Sequence, residues 1–241
     1  MKDTAYFYLI LASLFLSLAL SKEVGAQPPM LRVAVIDTGL DLNDERFQDV
    51  LCESKYHKDF TGAGIEDRVG HSTWIVGKIK EIAGNQGGYC IMVLKFYLES
   101  NPGITNLSNE VAAINFAVSN GASIINVSAG GYEFSETEYE AIARAPQVEF
   151  FVAAGNNNQS LDNTKYKYYP ASYELKNVTA VGATDKDMHR ISTSNYGTKV
   201  MTWEVGDNLE STLPNGARGR LTGTSMACAV KTAKVIRARV K

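Results

Sequence analysis

The sequence predicts a three-layer α/β/α fold around a mostly parallel, largely buried β-sheet. Three observations carry that expectation. Short, nearly continuous apolar runs recur along the chain, and continuous runs mark strands covered on both faces. Amphipathic helical patterns lie between them, and strands alternating with helices imply a parallel sheet flanked by helices. No low-complexity linker, repeat or charge block divides the 241 residues, so one domain is expected over 27–241.

The elements follow in order. LRVAVID (31–37), rich in β-branched residues, is read as the first buried strand. HSTWIVGKIKEIAG (71–84) reads as a helix, with Ile75, Ile79 and Ile82 at helical spacing. YCIMVLKFY (89–97) is the next strand. SNEVAAINFAVSNG (108–121) has Ser108 as a candidate cap, Val111, Ile114, Ala117 and Val118 on one face, and Gly121 where a helix end favours positive φ. SIINVSAGG (123–131), VEFFVAAGN (148–156) and NVTAVGAT (177–184) are strands, and SETEYEAIARA (135–145) is a helix stopped by Pro146. A last helix begins within LTGTSMACAV (221–230).

In such sheets the functional groups gather at the carboxyl ends of the strands. Asp37, Ser128 and Asn156 stand at those ends, although each is also an ordinary turn residue. Ser225, at the start of the last helix, reads equally well as a cap. Histidine is more restrictive, because the chain has only 3. His57 sits among the charges of KYHKDF and is expected to be solvated, and His189 lies in the polar stretch DKDMHRIS. His71 stands where a glycine loop runs into an apolar helix. The positive end of a helix favours neutral imidazole, the form a general base needs.

Lys2 precedes the apolar run from Ala5 to Leu20, and small residues follow as far as Ala26. This pattern predicts a secretory signal over residues 1–26, cleaved before Gln27. The run is short for a bilayer span of about 20 apolar residues, so no stable membrane span is expected after cleavage. A secreted or periplasmic monomer is the expected product. Lys plus Arg number 24 against 26 for Asp plus Glu, and a net charge of −2 gives no reason to propose a nucleic-acid partner. Of three cysteines, Cys228 follows Ser225 in an apolar helix and is expected to be buried and inert, leaving Cys52 and Cys90 as the candidate disulfide.

Six motifs then stand in one order: VAVIDTGLD, GHSTWIVG, INVSAGG, VAAGNNN, TAVGATD and LTGTSMACAV. Together with YPASYELKNVTAVGAT and ESTLPNGARGRLTGTSMA they resemble the subtilisin family of serine proteases over nearly all of residues 31–235. The order Asp, His, Ser along the chain is that family's own. The resemblance implies a subtilisin-like fold and an exported serine endopeptidase acting on polypeptides. It implies Asp37, His71 and Ser225 as the catalytic triad and Asn156 as oxyanion donor. Ser128, Ala129 and Gly130 correspond to one wall of the primary specificity pocket, and Ala153, Ala154 and Gly155 to the other. Gly103, with Ile104 and Thr105, corresponds to an edge that pairs with extended substrate. The small alanines imply a roomy apolar pocket, with no acid at its base to demand a basic side chain.

Departures from the family pattern set an alternative beside this reading. Ser72 and Trp74 stand where the family has Gly and His, and bulk at Trp74 points to an inactive binding protein with an altered site as that alternative. Arg46 falls where the family's tight calcium site needs an aspartate, and GNQGGYC (84–90) is shorter than the usual loop, so no metal or cofactor is expected. The first strand follows the signal closely and the chain stops soon after the last helix, so neither a propeptide nor the family's C-terminal helices are expected.

Overall fold

The computed structural model describes residues 30–85 and 87–240; the expected signal over 1–26 lies outside the described residues. A seven-stranded, wholly parallel sheet has the order β2-β3-β1-β4-β5-β6-β7. Its strands are β1 (Leu31–Asp37), β2 (Lys58–Asp59), β3 (Tyr89–Lys95), β4 (Ile124–Val127), β5 (Glu149–Ala153), β6 (Val178–Thr184) and β7 (Thr202–Val205). Among the described residues four α-helices accompany it: α1 (His71–Ala83), α2 (Gly103–Ser119), α3 (Glu136–Ala143) and α4 (Thr224–Arg239). An antiparallel hairpin, β8 (Leu209–Thr212) and β9 (Arg218–Leu221), precedes α4.

Two hydrophobic cores make the three layers. Side chains alternate across a strand, so Ala34 and Ile36 of β1 pack with Ala113, Ile114 and Ala117 of α2 and Ile142 of α3. Val33 and Val35 point the other way, toward Ile75 and Ile79 of α1 and Ala229, Ala233 and Ile236 of α4. Cover on both faces is why the strands read as unbroken apolar runs. β1 lies between β3 and β4, so the direction of strand addition reverses beside it. The carboxyl edge at such a reversal forms a crevice.

Two expectations are corrected. Helix α2 starts at Gly103, five residues before Ser108, so Gly103 opens a helix and is not part of an extended edge. Pro102 fits the position before a first helical turn, and Asn106 pins that turn by pairing its side-chain amide with both the N–H and the carbonyl of Leu98. His57 is half-buried, not solvated: its Nε2 lies 2.9 Å from the Cys52 carbonyl and its Nδ1 accepts the Val93 N–H at 3.0 Å. Burial lowers its pKa, against a smaller opposite effect from the Cys52 carbonyl. Cys52 and Cys90 are joined in a disulfide, and Cys228 is buried and free. Among the described residues no helix is long and apolar enough to cross a membrane.

Candidate active site

The element ends bring the predicted residues to one edge of the sheet. Asp37 closes β1, His71 opens α1, Ser128 follows β4, and Ala153 closes β5 ahead of Ala154, Gly155 and Asn156. Ser225 is the second residue of α4.

Asp37 is 3% exposed. Its Oδ1 accepts the Thr38 N–H at 2.7 Å, and its two oxygens lie 2.8 and 2.9 Å from His71 Nδ1. A carboxylate only accepts, so Nδ1 carries the proton and Nε2 is left as the ring's acceptor. Burial opposes the imidazolium, but the charge and hydrogen bond of Asp37, with a contribution from Asp67, outweigh it and raise the His71 pKa. The carboxylate thus shifts the imidazole in the direction opposite to the pull of the helix N-terminus.

Asp67, which none of the sequence motifs includes, builds the start of α1. Its Oδ1 accepts the N–H groups of Val69 and Gly70 and the Thr38 hydroxyl, the last at 2.8 Å. Its Oδ2 accepts the Thr73 N–H and hydroxyl at 2.8 and 2.6 Å. One buried carboxylate thus ties the residue after Asp37 to the turn that carries His71. Gly70, at φ +90°, supplies a left-handed bend that a side chain would strain. The signal available in sequence was an acid four residues before His71.

Ser225 is 9% exposed, and its hydroxyl donates to the Ser128 carbonyl at 2.9 Å. Its N–H belongs to the first turn of α4, where amides lack intrahelical acceptors. Asn156 Oδ1 accepts the Thr224 N–H at 2.9 Å and the Thr224 hydroxyl at 3.1 Å. That orientation frees the Nδ2 hydrogens to point elsewhere. The strand-end loop is held by Asn195, a second residue the sequence did not single out. It donates from Nδ2 to the Ala154 carbonyl at 2.8 Å and accepts from the Asn157 and Gln159 N–H groups.

Gly130 and Gly155 stand in the two predicted pocket walls. The Tyr168 ring packs against both. A Cβ added at Gly130 would meet Tyr168 Cε1 at 2.6 Å, and one added at Gly155 would meet Cδ1 at 2.9 Å. Gly155 also has φ +95°, so both its backbone and its lack of a side chain are needed. Burial pushes the Tyr168 hydroxyl up to about 12. A phenol thus stands against both predicted walls, beside the small alanines from which a roomy pocket was expected.

The departures at Ser72 and Trp74 are turned away from this edge. Trp74 is fully buried in the core shared by α1 and α4, and its Nε1 donates to the Gly219 carbonyl of β9 at 3.1 Å. It repacks the interior and does not cover His71. Ser72 is buried as well; its N–H donates to Thr38 Oγ1 at 3.0 Å, and its hydroxyl has no partner among the described residues. Arg46 is held by Asp44, its Nε at 2.8 Å from Oδ1, and by the Leu213 carbonyl.

An α/β protein with an Asp–His pair and a helix-borne serine on one sheet edge belongs to the class of serine hydrolases with parallel-sheet folds. The profile of the subtilase family, peptidase S8, matches residues 30–239, and the chain belongs to that family. It is similar to the major intracellular serine protease of Bacillus subtilis (strain 168), at 31% identity over 214 residues, 84% of this chain and 66% of that protein. It is likewise similar to subtilisin DY of Bacillus licheniformis, 31% identical over 209 residues, covering 82% of this chain and 72% of the relative. Among solved structures, a cold adapted subtilisin-like serine proteinase superimposes with a TM-score of 0.69 at 26% identity, over 87% of this chain and 76% of its own.

Proposed function

We propose that the protein is an exported serine endopeptidase that hydrolyses peptide bonds through Asp37, His71 and Ser225. The observation that carries this reading is the contact of both Asp37 oxygens with His71 Nδ1 on the edge that also holds Ser225. A serine hydroxyl is a poor nucleophile until a base removes its proton. In the reaction the Ser225 side chain swings from the Ser128 carbonyl to His71 Nε2, attacks the substrate carbonyl and yields its proton. His71 then returns that proton to the leaving amine, while Asp37 fixes the tautomer and stabilises the imidazolium. Asn156 Nδ2 and the Ser225 N–H receive the developing oxyanion. Loss of such a donor costs roughly 10²–10³-fold in kcat, the size measured for an oxyanion-hole asparagine in a subtilisin.

The substrate is an extended polypeptide passing the exposed backbone at Gly130. Because the Tyr168 ring stands against both walls, the residue whose carbonyl is attacked is expected to have a small side chain. Action as a monomer, without a metal or cofactor, completes the proposal. Export is supported by the residue 1–26 pattern and by a disulfide, since disulfides persist in oxidising compartments.

One observation favours a second reading, a peptide-binding protein that does not cleave: the Ser225 hydroxyl is engaged by Ser128, not by His71. A fluorophosphonate probe separates the two. Labelling of the wild type but not of Ser225→Ala supports the peptidase, and a folded wild type that takes no label refutes it.

A further inference from the structure

Helix α1 carries His71 at its start and lies along one face against the β8–β9 hairpin. Gly70, Trp74 and Gly77 stand four and three residues apart, so they share that face. A Cβ added at Gly70 would meet Pro214 Cδ at 3.4 Å, at the tip of the hairpin. One added at Gly77 would meet Ser211 Oγ at 2.8 Å and Thr212 Cβ at 2.9 Å, so β8 approaches as closely as a bare backbone allows. Between the two glycines stands Trp74, fully buried.

Trp74 is bonded to both strands of the hairpin. Its Nε1 donates to the Gly219 carbonyl of β9 at 3.1 Å, and its own carbonyl accepts the Ser211 hydroxyl of β8 at 2.9 Å. Ser211 is fully buried too. A buried indole N–H needs an acceptor, and an acceptor on a neighbouring strand fixes the spacing of the two elements as well as their packing. The strand it reaches leads to the nucleophile, since Gly219 lies six residues before Ser225. The link from β9 into α4 is itself held. The Gly223 N–H donates to the Gly206 carbonyl at 2.8 Å, and a Cβ added at Gly206 would meet the Gly223 carbonyl at 2.5 Å.

We propose that Trp74 is a positioning residue that holds the helix of His71 at a fixed distance from the strand that delivers Ser225. The proposal rests on the peptidase reading, because it concerns how base and nucleophile meet. Packing alone asks only for an apolar side chain of similar volume. It gives no reason for an indole N–H and a buried serine hydroxyl to bridge helix and hairpin. The Ser225 hydroxyl, which donates to the Ser128 carbonyl, must turn to His71 Nε2. Such a relay tolerates little drift, since a misplacement of about 1 Å can cost about 10²-fold in rate. The departure from the family pattern at Trp74 then tunes the site and does not block it.

Three variants test it on a peptide that the wild type cleaves, at a temperature where unfolding curves show each one folded. Trp74→Phe keeps an aromatic ring and removes the N–H, and Ser211→Ala removes the second bond. Each is expected to lower kcat by about 10-fold and to leave KM within about twofold, the split that marks an interaction needed only in the transition state. Both should slow labelling by the fluorophosphonate in proportion, since labelling needs Ser225 and His71 but no peptide. Ile79→Val, which trims an apolar core residue of the same helix, is expected to keep kcat within about twofold of the wild type. A folded Trp74→Phe with the wild-type kcat overturns the proposal and leaves the peptidase reading intact. An Ile79→Val that loses as much kcat overturns it as well, because the loss then follows from weakened packing. If Trp74→Phe does not fold, Ser211→Ala decides by the same criterion. A wild type that neither cleaves peptides nor takes the probe refutes the peptidase reading and the positioning role with it.

Discussion

At the scale of single residues, the balance at His71 sets the pH dependence. Burial works against the imidazolium, but Asp37 raises the pKa overall. The base must be neutral, so kcat/KM is expected to rise with pH along a limb whose midpoint lies above the ordinary imidazole value of about 6.5. Asp37→Asn removes the raising charge; it should lower that midpoint and reduce kcat by about 10⁴-fold, as loss of such an orienting carboxylate does. A wild-type midpoint below the ordinary value would contradict the assigned pair. Tyr168 makes a second prediction. Tyr168→Gly should open the space between Gly130 and Gly155 and raise cleavage after Phe or Leu relative to Ala; an unchanged ratio means the ring does not limit the pocket. Asp37, His71 and Ser225 could be placed at element ends from the sequence, but Asp37 and Ser225 read equally well there as a turn residue and a cap, and their joint role came from the resemblance of the ordered motifs to the subtilisin family. Asp67, Asn195 and Tyr168 were not legible. Asn195 and Tyr168 act through contacts made only when distant loops fold onto one edge, and a lone Asp in a loop reads as a turn.

At the scale of elements, α1 is the part whose placement decides the chemistry, and its first turn has no side-chain cap of its own. Asp67 replaces one, receiving five hydrogen bonds from Thr38, Val69, Gly70 and Thr73. Asp67→Ala would strand several buried donors and is expected to cost about 3 kcal/mol in urea unfolding. It should also lower activity at temperatures where the protein remains folded, since Thr38 and His71 lose their common anchor. A loss within a few tenths of a kcal/mol would contradict that role. The strands were readable because burial on both faces leaves unbroken apolar runs, as in LRVAVID. The start of α2 was not, because Gly, Pro and Asn between 101 and 106 look like a loop. The pairing of Asn106 with Leu98 ties that segment down as a helix start. Trp74 shows the same limit: its departure from the family pattern was visible, but not that it faces the core.

At the scale of the whole molecule, the crevice at the reversal of strand order gathers groups from β1, α1, β4, β5 and α4. The Cys52–Cys90 bridge ties the segment before β2 to β3, and such a link contributes about 2–4 kcal/mol. The fold class and the edge on which the site lies were legible from alternation and chain order alone. The surroundings of that edge were not, since the Tyr168 ring reaches Gly130 and Gly155 only when loops fold together. The central claim is that Asp37, His71 and Ser225 work as one unit on a peptide carbonyl. Its most direct test is kcat/KM for Ser225→Ala, His71→Ala and the double variant on a peptide the wild type cleaves. Residues acting in a single proton relay lose their effects together. Each single variant is therefore expected to reduce activity by orders of magnitude, and the double variant to fall no further. Losses that multiply in the double variant, or a Ser225→Ala as active as the wild type, would contradict the account.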